Sequence, residues 1–333
     1  MKQKGFTLIE VMISLFIGGL VLGGVMFTYI GMKVTTRDTM TIGELQESGR
    51  LAINIMQRDI EQIGFWGTFY DDSFSSANTT TLTTPNAAND CLEGLNNGSF
   101  PDLSSTTNFR TIYAKTAGAV KELNCVTNPI GGTDILQLKF LQGDPITVKA
   151  GSNETQNKEN YFIAEQERAQ FVRNIVDPAT LNVNATVWPY SHHVYYISNQ
   201  TYTVNNNKLT VPALMRKRLV DDAMKTETIM EGVENMRFVF GLDTTNDSRI
   251  DMYKSIDNMA PADWENRKGI LTVQVFLLIR ALQPDADLSI KNQTYTLGED
   301  ADNRELQFTD NFRRTVFTTT IRLNNVGENL WRI

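Results

Sequence analysis

The chain holds only two cysteines and two histidines in 333 residues, and each scarcity removes a class of function. His192 and His193 are adjacent, so in a strand their side chains point to opposite faces and cannot jointly hold a metal. They read as a surface or partly buried pair. There is no P-loop, no Gly-x-Ser-x-Gly elbow and no Cys with a convincing His partner, which makes a non-enzymatic protein the expectation. Basic residues are outnumbered, 31 Lys and Arg against 38 Asp and Glu, and this balance argues against direct contact with nucleic acid. The one dense basic run, Arg216-Lys217-Arg218, precedes Asp221 and Asp222. It reads as a solvated strand edge that discourages pairing, not as a DNA contact. Proline is absent before Pro85, so nothing interrupts a helix begun at the N-terminus.

Such a helix is written into the first 64 residues. Val11 to Met32 is an uncharged run of 22 residues, roughly 33 Å as a helix and enough to cross a hydrocarbon core of about 30 Å. Lys2 and Lys4 precede it, and flanking positive charge favours the cytoplasmic side, which places everything beyond Lys33 outside the cytoplasm. Beyond the apolar run, Leu45, Ala52, Met56, Ile60 and Ile63 recur on one helical face. Glu44, Glu47, Arg50, Arg58 and Glu61 supply the polar side, and Gly64 with Gly67 ends the helix.

Strand patterns dominate the remainder. Asp134 to Leu141, Val194 to Thr203, Leu209 to Leu219, Asn235 to Phe240, Gly269 to Ile279 and Thr315 to Leu323 are rich in β-branched and aromatic residues. A short strand is expected at Thr294 to Leu297, and Asn205-Asn206-Asn207 and Gly131-Gly132 read as turns. The expected fold class is α+β, a long N-terminal hydrophobic helix packed on a mostly antiparallel β-rich globular domain. Trp66, Trp188, Trp264 and Trp331 read as packing residues, with Trp331 able to dock the C-terminus. Cys91 and Cys125 both lie in the exported part, where an oxidising compartment favours a disulfide over two buried free thiols.

The residues Lys4-Gly5-Phe6-Thr7-Leu8-Ile9-Glu10 resemble the processing motif of type IV prepilins and pseudopilins. That resemblance implies cleavage between Gly5 and Phe6 by a prepilin peptidase and N-methylation of Phe6. It divides the chain into a leader at 1–5, an N-terminal helix at 6–64 and an exported domain at 65–333. Within the helix, 6–32 would be the transmembrane and filament-core part and 33–64 the amphipathic part. Later stretches are similar to minor pilins of the PilW type: Arg58-Asp59-Ile60 through Gly64-Phe65-Trp66-Gly67, Glu231-Gly232-Val233-Glu234 into Phe240-Gly241-Leu242-Asp243-Thr244, and Arg313-Arg314 with Val316-Phe317-Thr318-Thr319-Thr320.

Several residues then acquire paired readings. An acid within an apolar helix costs on the order of 2.5 to 3.5 kcal/mol on insertion scales. Glu10 would therefore pair with the Phe6 amine of a neighbouring subunit, its family role, or else reach interfacial water. Gly19 and Gly23 either let helices approach closely in lipid or merely loosen this one. Asp243, Asp247 and Asp251 are weak calcium candidates, because Ser248, Thr245 and Lys254 depart from the ligand pattern of a calcium loop; an Asx-rich turn is the competing reading. No other cofactor is expected.

The PilW resemblance implies a low-abundance subunit that helps prime type IV pilus assembly. It would form part of a pilus-tip complex and support twitching motility, adhesion or DNA uptake. Its partners would be the peptidase, other minor pilins and the major pilin, the inner-membrane assembly platform and a large tip adhesin. Its location would be the bacterial inner membrane, single-pass with the N-terminus cytoplasmic and the bulk periplasmic, and the pilus tip after assembly. The alternative is a type II secretion pseudopilin of the J class. A third reading, an exported enzyme or a sugar- or metal-binding module on a borrowed anchor, would need a concave site.

Overall fold

The computed structural model describes residues 5–71, 73–204, 207–285, 292–299 and 303–326. Lys2, Lys4, Asn205, Asn206 and Trp331 lie outside these described residues. Two compact units are distinguished, Met1–Glu47 and Ser48–Ile333.

One continuous helix, α1, runs from Leu8 to Glu61. With no proline inside it, no backbone N–H is lost from its ladder. Its first part is long and apolar enough to cross a membrane. From Ser48 onward α1 belongs to the larger unit, where Ala52, Met56, Ile60 and the following Ile63 are buried. This is the apolar face expected from the periodicity. The helix stops because Gly64 adopts φ +91, a left-handed conformation that suits glycine, and a Cβ there would meet the Asn325 carbonyl oxygen at 2.9 Å.

Fourteen strands matter to the description: β1 (Thr79–Leu82), β2 (Ile112–Thr116), β3 (Asp134–Leu141), β4 (Asn160–Ala164), β5 (Ala169–Arg173), β6 (Thr186–Val204), β7 (Asn207–Val220), β8 (Ala223–Glu231), β9 (Val233–Leu242), β10 (Met252–Ser255), β11 (Ile270–Arg280), β12 (Gln293–Leu297), β13 (Arg304–Phe308) and β14 (Arg314–Arg322). The larger sheet has the order β1-β5-β4-β6-β7-β8, with β3 also on β6 and β2 on β3. The second sheet has the order β10-β9-β11-β14, and β12 pairs with β13. Only β1 with β5 is parallel among these pairs, so the sheets are mostly antiparallel, as expected.

The sheets meet at Gly232. Its N–H donates to the Pro212 carbonyl in β7, and its own carbonyl accepts from Arg280 N–H in β11, both at 2.7 Å. Gly232 has φ +85, and a Cβ would stand 2.6 Å from the Arg280 oxygen. Any side chain would strain the junction and crowd that carbonyl.

One expectation is overturned here. Arg216-Lys217-Arg218 does not form an edge: β7 lies between β6 and β8, with Arg216 opposite both Tyr195 and Glu227. Lys217 is buried, and its ammonium donates to Thr226 Oγ1 at 2.8 Å. The run is tolerated inside a sheet because Glu227, on the outer strand β8, takes the Arg216 Nε–H at 2.7 Å. An aromatic core gathers just past the end of α1 in sequence, where Trp66, Phe74, Phe162 and Phe171 pack edge to face, with Phe162 and Phe171 centroids 5.0 Å apart.

Candidate assembly site at the helix N-terminus

Gly5 and Phe6 precede α1 in an exposed segment without regular secondary structure, and Phe6 is 88% exposed. The peptide bond between them is accessible to a peptidase. Thr7 then caps the helix. Its N–H and hydroxyl both donate to Glu10 Oε2, at 2.9 and 2.7 Å, and the Glu10 N–H points back to Thr7 Oγ1 at 3.4 Å. This reciprocal arrangement is a capping box. It satisfies two orphan donors and fixes the carboxylate one residue from the nitrogen that cleavage would free. The Thr-x-x-Glu spacing is legible in the sequence, yet the motif resemblance drew attention to Glu10 alone. The pattern that would have revealed its capping role is Thr7 at the N-cap.

Both donated hydrogen bonds fall on Oε2. A carboxylate has about four lone-pair sites, so Oε1 remains able to accept a further donor without opening the box. Beside Glu10, a shallow apolar groove includes Phe6, Ser14, Gly18, Gly19 and Leu22. Gly19 and Gly23 lie one turn apart on an open helix surface, with no atom near where a Cβ would stand.

The cysteines are joined. Cys91 and Cys125 form a disulfide with Cα atoms 4.9 Å apart. Behind it lies a buried polar cluster that sequence reasoning missed. Asp90 accepts from the Cys91 N–H at 2.7 Å and from the Ser99 hydroxyl at 2.6 Å, and His192 Nδ1 lies 2.7 Å from Ser99 Oγ. His192 Nε2 lies 2.8 Å from Gln137 Nε2. Because the amide nitrogen can only donate, Nε2 is the acceptor and Nδ1 carries the proton. Burial holds His192 well below the ordinary imidazole value, and the nearby Lys139 adds to the effect. The three residue types are those of a nucleophilic triad, but the order differs, since Ser99 itself contacts both Asp90 and His192. Ser99 and His192 are fully buried, and the set ties the 90–99 segment to β6.

His193 is buried as well, on the opposite face, with Asp59 and Tyr195. The expected surface or partly buried pair is thus corrected for both histidines. Their opposite orientation is as the strand period requires. The reason for burial is that both faces of β6 are covered, one by α1 and one by the disulfide-linked segment.

The acidic loop forms a turn. Asp243 Oδ1 accepts the amides of Thr245, Asn246 and Asp247 at 3.1, 2.6 and 3.3 Å, and Oδ2 accepts that of Ser248 at 2.7 Å. Asp251 Oδ2 accepts Thr244 and Thr245 amides, and Asp247 takes the Arg249 amide. These carboxylates face backbone donors, the Asx-turn arrangement. Among the described residues no group of three His, Cys, Asp or Glu side chains is placed to hold a metal ion.

Residues 1–26 match the model of the prokaryotic N-terminal methylation motif, and residues 194–325 match that of the type IV pilus-assembly protein W family. No curated protein and no solved structure matches the chain. The apolar helix and the methylation-motif match support a membrane-anchored subunit of the prepilin type. More particularly, the two matches support a type IV pilus minor pilin of the PilW type, with the PilW-like part running from the middle of β6 through β14.

Proposed function

We propose that this subunit helps to prime type IV pilus assembly and takes its place in a tip complex with other minor pilins. The observation that carries the reading is Glu10, held by Thr7 with one carboxylate oxygen still free. The peptidase cuts between Gly5 and Phe6, the new Phe6 amine is methylated, and the helix initially remains in the inner membrane with the larger unit outside the cytoplasm. As subunits join, the ammonium of a neighbour's Phe6 approaches Glu10 Oε1. The pair offsets the cost of an acid in hydrocarbon while the capping box stays closed. Gly19 and Gly23 present the close-approach face to neighbouring helices. The protein acts through these contacts and carries no catalytic step.

The test is co-purification of the full chain with minor pilins from the same cell, together with pilus counts in a deletion strain. Binding, with pili lost or sparse in the deletion strain, is the expected result. Intact pili without such binding, combined with failed export of a secreted enzyme, would transfer the protein to a secretion apparatus.

A further inference from the structure

The segment that carries Cys91 folds around a cavity of about 620 Å³, within the size range of small-ligand sites. No Lys, Arg or His lines it, so a phosphate or carboxylate would enter without a cation to meet it. Its acids are already engaged: Asp90 by Ser99 and the Cys91 amide, and Asp102 Oδ1 by the Ser104 amide and hydroxyl at 2.9 and 2.6 Å. What remains is the hydroxyl groups of Thr81 and Thr84 and apolar surface from Phe100 and Leu103, since Ser105 Oγ is shared with the Thr107 hydroxyl at 2.9 Å and takes the Thr107 amide. Hydroxyls both donate and accept.

The cavity is also held by the fold. The disulfide closes its Cys91 side. Asn97 donates to Gln137 Oε1 in β3 at 3.2 Å, and Ser99 is held against His192 in β6. A cavity pinned to two buried strands is pre-formed, which lowers the ordering cost of binding.

We propose that this cavity binds an uncharged, hydroxyl-rich ligand, a sugar ring of a glycan, with its hydroxyls on the Thr81 and Thr84 side chains and a C–H face against Phe100 and Leu103. The inference does not rest on the pilus reading, and no pilus count enters its test.

The full chain in detergent is applied to an array of neutral and sialylated glycans, with spermidine and inorganic phosphate as counter-probes in saturation-transfer NMR. Binding confined to neutral glycans is expected. Thr84→Trp and Ser104→Trp, both at exposed lining positions, should weaken it by about tenfold or more while the circular dichroism spectrum is unchanged. Failure of every neutral glycan to bind overturns the proposal. So does saturation transfer to spermidine or phosphate alone, or sugar binding that persists undiminished in both variants.

Discussion

His193 Nδ1 lies 2.5 Å from Asp59 Oδ2, and this contact joins α1 to the centre of the larger sheet. The same oxygen accepts the Tyr195 hydroxyl at 2.6 Å and faces Arg216 Nη1 at 3.5 Å. Burial raises the Asp59 carboxyl, but His193, Tyr195 and Arg216 together outweigh it and hold the group below the usual carboxylate value. A depressed carboxyl stabilises the fold above its unfolded pKa of about 3.9 and loses that contribution as pH falls through the folded value. Asp59→Ala should therefore destabilise the protein by about 1 to 3 kcal/mol at neutral pH, since the buried His193 ring and Tyr195 hydroxyl lose their shared acceptor while Arg216 keeps Glu227. Urea unfolding should show the gap between variant and parent narrowing below about pH 4. A gap that stays constant to pH 3 would remove the linkage.

Lys139 poses the opposite case. Its side chain is fully buried, and its amine donates to the Arg110 carbonyl at 2.7 Å and stands 5.1 Å from the Phe109 ring centroid. Burial lowers its pKa to about 7, with Asp90 opposing and Arg110 assisting. The unfolded chain thus binds more protons between about pH 7 and 10, and stability rises with pH across that window. Lys139→Met removes the charge cost. Its stability relative to the parent should be highest below pH 7 and should fall by a few kcal/mol as pH approaches 10. A stability gap between the two proteins that stays constant at every pH would show that burial does not lower the Lys139 pKa in the folded state.

The Cys91–Cys125 bond closes a loop with a sequence separation of 34, around a segment whose strands are short. In the chain-entropy account a loop of this length confers about 3 to 4 kcal/mol. Paired Cys91→Ser and Cys125→Ser substitution should lower stability by about that amount, read by chemical unfolding. The parent should run faster on a non-reducing gel. Equal mobility, with both thiols open to alkylation, would contradict the bond.

The legible parts of this fold are those where pattern and burial agree. β9, β11 and β14 were expected within a few residues of where they stand, because their apolar residues pair across the second sheet. β3 shows where that logic weakens. Gln137 and Lys139 alternate with Leu136, Leu138 and Phe140, which reads as one wet face, yet every residue of β3 is buried. The polar face is covered by an irregular segment rich in Ser, Thr and Asn, which no periodicity announces. The same cover buries His192. β1 and β8 escaped notice for a related reason: Thr79–Leu82 and Ala223–Glu231 are edge strands with polar, half-exposed patterns. At the site, Gly5, Phe6 and Glu10 were legible as a motif. The Asp59 and Asp90 clusters were not, since their histidines lie far off in the chain, His192 93 positions from Ser99 and His193 134 from Asp59, and meet them only through the sheet.

Glu10→Gln separates the two tasks of that side chain. A glutamine oxygen can still accept the Thr7 amide, so the capping box survives, and helix content and cleavage between Gly5 and Phe6 should be unchanged. What disappears is the negative charge that would meet a neighbouring Phe6 ammonium. A hydrogen bond to a charged group contributes about 1.5 to 3 kcal/mol, so incorporation into pili should drop by about ten- to a hundredfold. Quantitative immunoblots of sheared pili, normalised to the processed membrane pool, provide the measurement. Normal incorporation would sink the pairing. A drop in processing as well as incorporation would show that the Glu10 charge is used already at the cleavage step, before assembly.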